Sequence, residues 1–318
     1  MSAGIAVEAA FVDRASTWTA TPATVDTWFP LRSESLTDDP TITRSEATGQ
    51  VSQYQGKLTQ RVVTGDVVAE LDYNYGHGLL EFALGANSPA KTYDTADELV
   101  YCGLNFDKGT ARHQFPSACF NRLQITGAPN EIVTATYGTV AYEQVSTATA
   151  FPVSRPAESL QERVYFEDVN VRLGAVIDGA LSATEDVGIS GFELTLENNM
   201  AVDQVDSQSD KRVLAPVRNG FRTGSLRLDF TRYQASLHAG GQHPLNTWRD
   251  SQTQLQATLV FTGSTGSYTI SLPILHLTEG ANHNVAGPEV LTGAATFMLE
   301  GGANANMSGM DQLRIVNA

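Results

Sequence analysis

From Val67 to Tyr73 the chain alternates: Val67, Ala69, Leu71 and Tyr73 fall on one side of an extended backbone, and Val68, Glu70 and Asp72 on the other. A period of two marks a strand with one buried face. Leu226, Leu228 and Phe230 alternate with Arg227 and Asp229 in the same way. Apolar runs predict further strands over 99–106, 132–142, 255–261, 268–272 and 291–299. Gly263-Ser264-Thr265-Gly266 reads as the turn between two of them. Leu80, Ala83 and Leu84 stand at helical spacing before Gly85, which predicts a short helix stopped by that glycine. The segment 233–240 holds the same place in the second half, and each is followed by a loop carrying Pro89 or Pro244.

The two halves share more than a pattern. Leu71-Asp72-Tyr73 matches Leu228-Asp229-Phe230 at an offset of 157, and Phe115-Pro116 matches Leu272-Pro273 at 157. Pro89 and Pro244, and Leu104-Asn105-Phe106 and Leu259-Val260-Phe261, match at 155; Leu36-Thr37 and Leu194-Thr195 match at 158. The order is kept and the drift is small, as an internal duplication predicts. Each half also carries a long polar stretch, 36–62 and 196–217. Such stretches suit arms that add to a neighbour's sheet edge, with mobile surface loops as the plainer alternative. The candidate arm residues are Asp38, Asp39, Arg44, Glu46 and Gln53 in the first, and Asp203, Asp206 and Asp210 in the second. A stretch bearing Pro152 and Pro156, within 146–162, reads as the linker.

Composition narrows the functional classes. The chain has 318 residues, 17% of them charged, and a formal net charge of −15. Phosphate binding is built on Lys and Arg, so this balance argues against wrapping nucleic acid. It does not argue against proximity to DNA without retention. No apolar run approaches the ~18 residues of a membrane span, and the N-terminal residues do not form a secretory signal. The two cysteines, Cys102 and Cys119, are too few for a disulfide scaffold and suggest reduced thiols. A hairpin centred between Thr110 and Ala111 would nevertheless set them opposite each other.

The search for chemistry returns little. No nucleophile elbow, zinc-protease helix, Walker loop or dinucleotide fingerprint is present. His276 and His283 flank Glu279, but that spacing fits no common metal site and reads as a hairpin loop. His77, between Gly76 and Gly78, reads as a turn residue capping backbone groups. An enzyme, a cofactor and a metal are not expected.

The run from Leu104 to Tyr142 carries the clearest resemblance. Phe106, Lys108-Gly109, Phe115, Cys119, Asn121, Leu123, Ile125, Ile132-Val133-Thr134 and Tyr137 match, position by position, the second half of the tube module in major tail tube proteins of long-tailed bacteriophages. Val63 to Gly85 and Ile189 to Phe230 are also similar to that family. The resemblance implies a mainly β fold of two tandem β-sandwich or barrel tube modules, each with one short flanking helix. It divides the chain into an N-terminal segment (1–30), a first module (31–150), a linker (151–165), a second module (166–300) and a C-terminal tail (301–318). It implies a virion structural protein, assembled in the host bacterial cytoplasm, whose homotrimeric, pseudo-hexameric rings stack into a hollow tube. The expected partners are further copies of itself, the tape measure, the tail terminator or baseplate proteins, and double-stranded DNA passing unbound; no membrane is involved. A contractile injection-system ring and a head-decoration or adhesin protein are the alternatives. Glu70, Asp72 and Asp229 are the candidate lumen-facing residues, since an acidic wall would not hold phosphates.

Overall fold

The structure, a computed structural model, describes residues 9–15, 17–18, 27–45, 54–88, 91–109, 111–147, 154–205, 211–230, 244–279, 293–302, 304–307 and 309–318. The first half contributes β1 (Ala9–Arg14), β2 (Thr27–Trp28), β3 (Leu31–Glu34), β4 (Thr37–Ser45) and β5 (Tyr54–Glu70). These are followed by α1 (Gly78–Leu84), β6 (Gly85–Ser88), β7 (Thr92–Thr95), β8 (Cys102–Asp107), β9 (Arg112–Gly127), β10 (Thr134–Ala141) and β11 (Val145–Thr147). The second half contributes β12 (Val169–Ala175), β13 (Asp186–Val187), β14 (Gly191–Glu197), β15 (Met200–Ala201), β16 (Val217–Arg218) and β17 (Thr223–Phe230). It ends with α2 (Pro244–Asp250), β18 (Leu255–Thr262), β19 (Ser267–Glu279), β20 (Gly293–Leu299) and β21 (Arg314–Asn317). The fold is mainly β, as expected, and its sheet pairings are antiparallel. No helix among the described residues is long and apolar enough to cross a membrane.

Antiparallel pairing runs β1–β8–β9–β10–β5–β3 in the first half and β12–β18–β19–β20–β17–β14 in the second. The order of chain elements is therefore the same in both. The long strands β9 and β19 also bend at the same places. Leu104 pairs with Phe115 but Cys102 with Ala118, so an extra residue enters at Pro116-Ser117. Ala257 pairs with Leu272 but Leu255 with Leu275, so the second half repeats the bulge at Pro273-Ile274. Proline has no N–H for the ladder, and a bulge is where a strand tolerates it. A second extra residue, Asn121 in β9 and Thr278 in β19, follows. The hairpin register, with Asp107 opposite Arg112, is centred one residue earlier than the cysteine pairing needs, and even with the extra residue at Pro116-Ser117 Cys102 faces Ala118 rather than Cys119; both thiols are free and buried.

Other expectations are corrected by local chemistry. α1 forms as predicted, and Gly85 closes it in the left-handed region at φ 99°. His77 starts α1 without a side-chain cap; its carbonyl accepts the Leu80 N–H at 3.0 Å. Pro244 opens a helix instead of lying in a loop, since its missing N–H is harmless in a first turn. The segment 233–240 lies outside the described residues. β5 ends at Glu70, so Leu71-Asp72-Tyr73 leaves the sheet while Leu228-Asp229-Phe230 lies inside β17. Asp72 directs the departure: its Oδ1 accepts the N–H groups of Asn74 (2.8 Å) and Tyr75 (3.0 Å).

One hydrophobic core spans both halves. At their seam Phe192 lies between Phe166 (6.4 Å, stacked) and Phe261 (5.8 Å). β21 is inserted between β19 and β7, and Arg314 grips Asp94 through two bonds of 2.6 and 3.0 Å. A Cβ added at Gly127 would stand 2.4 Å from the Phe192 ring. Gly127→Ala is therefore expected to cost about 1–3 kcal/mol through overpacking, while Gly191→Ala, whose nearest contact is 3.4 Å, should cost less; urea midpoints of the two variants decide it. Burial, with Lys91 nearby, lowers the His77 pKa to about 4. The unfolded chain takes up this proton near pH 6.5 and the folded chain only near 4, so this contribution to stability is lost as pH falls through that window. His77→Gln should flatten the stability profile there, and an unchanged profile would contradict the assignment.

Candidate functional site

The widest feature is a continuous run of eight strands that crosses from one half to the other. β14 pairs with β17 on one side and with the C-terminal part of β9 on the other, Leu194 opposite Ile125 and Glu197 opposite Arg122. The order is thus β3/β4–β5–β10–β9–β14–β17–β20–β19. Its inner face is apolar: Val67, Ala69, Ile125, Leu194, Leu228 and Phe297 are all buried.

The other face is polar and aligned in rows. Ser33, Val68, Thr136, Gln124, Thr195, Ser225, Met298 and His276 follow one another across the eight strands. The next row runs Glu70, Thr134, Thr126, Glu193, Arg227, Thr296, Glu279. On the other side lie Asp66, Gly138, Arg122, Glu197 and Thr223. Among the described residues the carboxylates of Asp66, Glu70, Glu193, Glu197, Asp229 and Glu279 thus share the face with the guanidiniums of Arg122 and Arg227. Asp66 pairs with Arg122 at 3.0 Å, Asp229 with Arg227 at 3.0 Å, and Glu193 accepts from Gln124 at 2.8 Å. Burial raises the Glu197 pKa, and Arg122 opposes that shift.

The structure therefore brings Glu70 and Asp229 to one polar face, Glu70 paired from the sheet end with Arg163 at 2.7 Å. Asp72 is not there. It is fully buried, ion-paired with Arg163, and holds the turn that follows β5.

The two polar arms meet at one end of this sheet. The first is the β4–β5 hairpin, in which Asp38 pairs with Arg61, the Asp39 carboxylate accepts from Thr37 Oγ1 at 3.2 Å, and Arg44 is exposed. The second lies across the first half of its own chain. The Asp203 carbonyl accepts from Gln60 at 3.2 Å, Trp18 donates to the Val213 carbonyl at 2.8 Å, and Arg212 pairs with Glu143 at 2.8 Å. At its base Asn198 donates to the carbonyls of Ala83 and Phe120, both at 3.0 Å, and accepts from Arg222 Nε at 2.8 Å. Arg222 also donates to the Ala96 carbonyl at 2.6 Å, and burial lowers its pKa to about 10. Glu46, Gln53, Asp206 and Asp210 lie outside the described residues.

His276 faces Glu300 at 3.2 Å, His283 lies outside the described residues, and no metal-ligating cluster occurs among the described residues. Sequence reasoning missed the pairing of β14 with β9 and the Asn198–Arg222 lock. The only signal for either was Asn198-Asn199 directly after an alternating strand.

A family model described as phage tail tube protein matches residues 4–305. No curated protein matches the chain.

Asn198→Ala removes the acceptor of a buried guanidinium and the donor to two carbonyls, and should cost about 2–4 kcal/mol. Arg227→Ala breaks an exposed pair and should cost under about 1 kcal/mol. Equal urea midpoints for the two variants would refute the lock.

Proposed function

The chain belongs to the phage tail tube protein family, and we propose that three copies close into a ring whose stacks form the hollow tail tube through which DNA passes. The observation that carries this reading is the sheet shared by the two halves. β14 adds to an edge of β9 within one chain. In the recurring strand order β3 holds the place of β14, and β19 the place of β9. Among the described residues β3 and β4 have no second strand partner, and the C-terminal end of β19 is paired only with β20. Adding β3 of one copy to β19 of the next repeats the internal joint and leaves no open edge after closure. Two tandem modules per chain then give three copies the appearance of six.

Such closure turns the polar rows toward the bore. Each copy brings more carboxylate than guanidinium to that wall, and most of the rest is Ser, Thr and Gln, with Val68, Met298 and His276 among them. Without an array of Lys and Arg there is little counterion-release affinity for phosphates. At ~8 Å screening length, only charges near the wall matter. Glu70 and Asp229 are lumenal in this reading, and Asp72 is not. The first arm, with Asp38, Asp39 and Arg44, reaches a neighbouring copy as the second arm reaches the first half. The tape measure, the terminator or baseplate proteins and assembly in the host cytoplasm follow from the same reading.

Native mass measurement of an isolated ring tests it, with three full-length chains expected and sixfold-looking end-on views. Six chains per ring would overturn the two-module reading. A chain that remains monomeric under all assembly conditions would overturn the tube itself.

A further inference from the structure

The two ends of the continuous sheet differ in character. One end, at Glu197, Thr223 and Thr64, continues into the two arms. There Ile42 and Val217 are each 54% exposed, and Phe221 is 93% exposed. Phe221 stands on a fixed loop: Asn199 donates its side-chain N–H to the Phe221 carbonyl, and the Asn199 carbonyl accepts from Asn219 at 2.8 Å. The opposite end, beyond Glu70 and Thr134, is crossed by residues 154–168, tied down through the bridges Asp72–Arg163 and Ile132–Tyr165. It presents Leu160, 56% exposed, and Tyr165, 47% exposed.

Charge divides the same way. Among the described residues of 37–64 and 198–222 bases outnumber acids seven to three, in a chain whose net charge is −15. Over 127–133 and 154–168 acids outnumber bases five to two. An exposed aromatic at the basic end and an apolar pair at the acidic end are complementary, not self-complementary. Contact between unlike ends is heterologous, and with a straight axis it repeats without limit.

We propose that Phe221, with Ile42 and Val217 exposed at the same end, seats against the end that presents Tyr165 and Leu160 on a second copy of this chain in the next ring, so that rings stack in one direction. The inference rests on the ring reading above. Opposite charge at the two ends steers the approach, and the buried aromatic anchors it.

The test uses the full chain and two single variants, Phe221→Ser and Tyr165→Ser. Tube length in micrographs and ring mass are measured for each. Both variants should keep the wild-type ring mass and lose tube length by about tenfold or more, the scale of a lost aromatic anchor. Raising salt to ~1 M, where screening falls to ~3 Å, should shorten wild-type tubes. Normal tubes in either variant, with rings present, would overturn the stacking proposal alone. Wild-type protein that never closes a ring would overturn the ring reading and the stacking proposal with it.

Discussion

An open strand edge is a row of N–H and C=O groups waiting for a partner, and the rest of this structure depends on how that row is satisfied. Inside the chain the second half satisfies the first: β14 lies along β9 with an unbroken register from Phe192 opposite Gly127 to Glu197 opposite Arg122. The absence of a side chain at Gly127 admits the Phe192 ring. The Asn198–Arg222 lock pins the arm that emerges beyond β14. A seam built from ladder bonds, aromatic packing and a buried cation holds one geometry, the geometry that the proposed ring would repeat between copies.

Much of this was legible in the sequence because it rests on local pattern. Strand alternation at Val67 and Leu226, the helix ended by Gly85 and the paired Phe115-Pro116 and Leu272-Pro273 all leave a period or a breaker behind. The family resemblance around Leu104 to Tyr142 pointed to the family that the comparison shows. Asp72 misled because alternation says nothing about where a strand ends. The carboxylate continues the polar series, yet it is buried and turns the chain. The Cys102–Cys119 register failed because the hairpin is centred one residue earlier, with Asp107 opposite Arg112, and a turn's centre leaves no mark in the alternation of its strands. Pairing between β9 and β14 joins residues about seventy apart in sequence and leaves no periodic trace.

The polar face carries its acids without a matching set of bases, and much of that charge is held in place. Asp66 and Asp229 have arginine partners at 3.0 Å, and Glu193 is held by Gln124. Such pairs contribute little to stability when exposed. Their effect is to fix side chains along one polar face of the sheet. The cations gather elsewhere, on the arms, where Arg61 holds Asp38 and Arg212 holds Glu143.

The central claim is that one copy repeats between chains the joint it already makes within itself. The most direct measurement is a density map of the assembled tube at a resolution that separates strands. The account predicts β3 of each copy beside the C-terminal end of β19 of the next, antiparallel, with Glu70 and Asp229 facing the bore. A map in which β3 faces solvent, or in which copies meet through another surface, would contradict it.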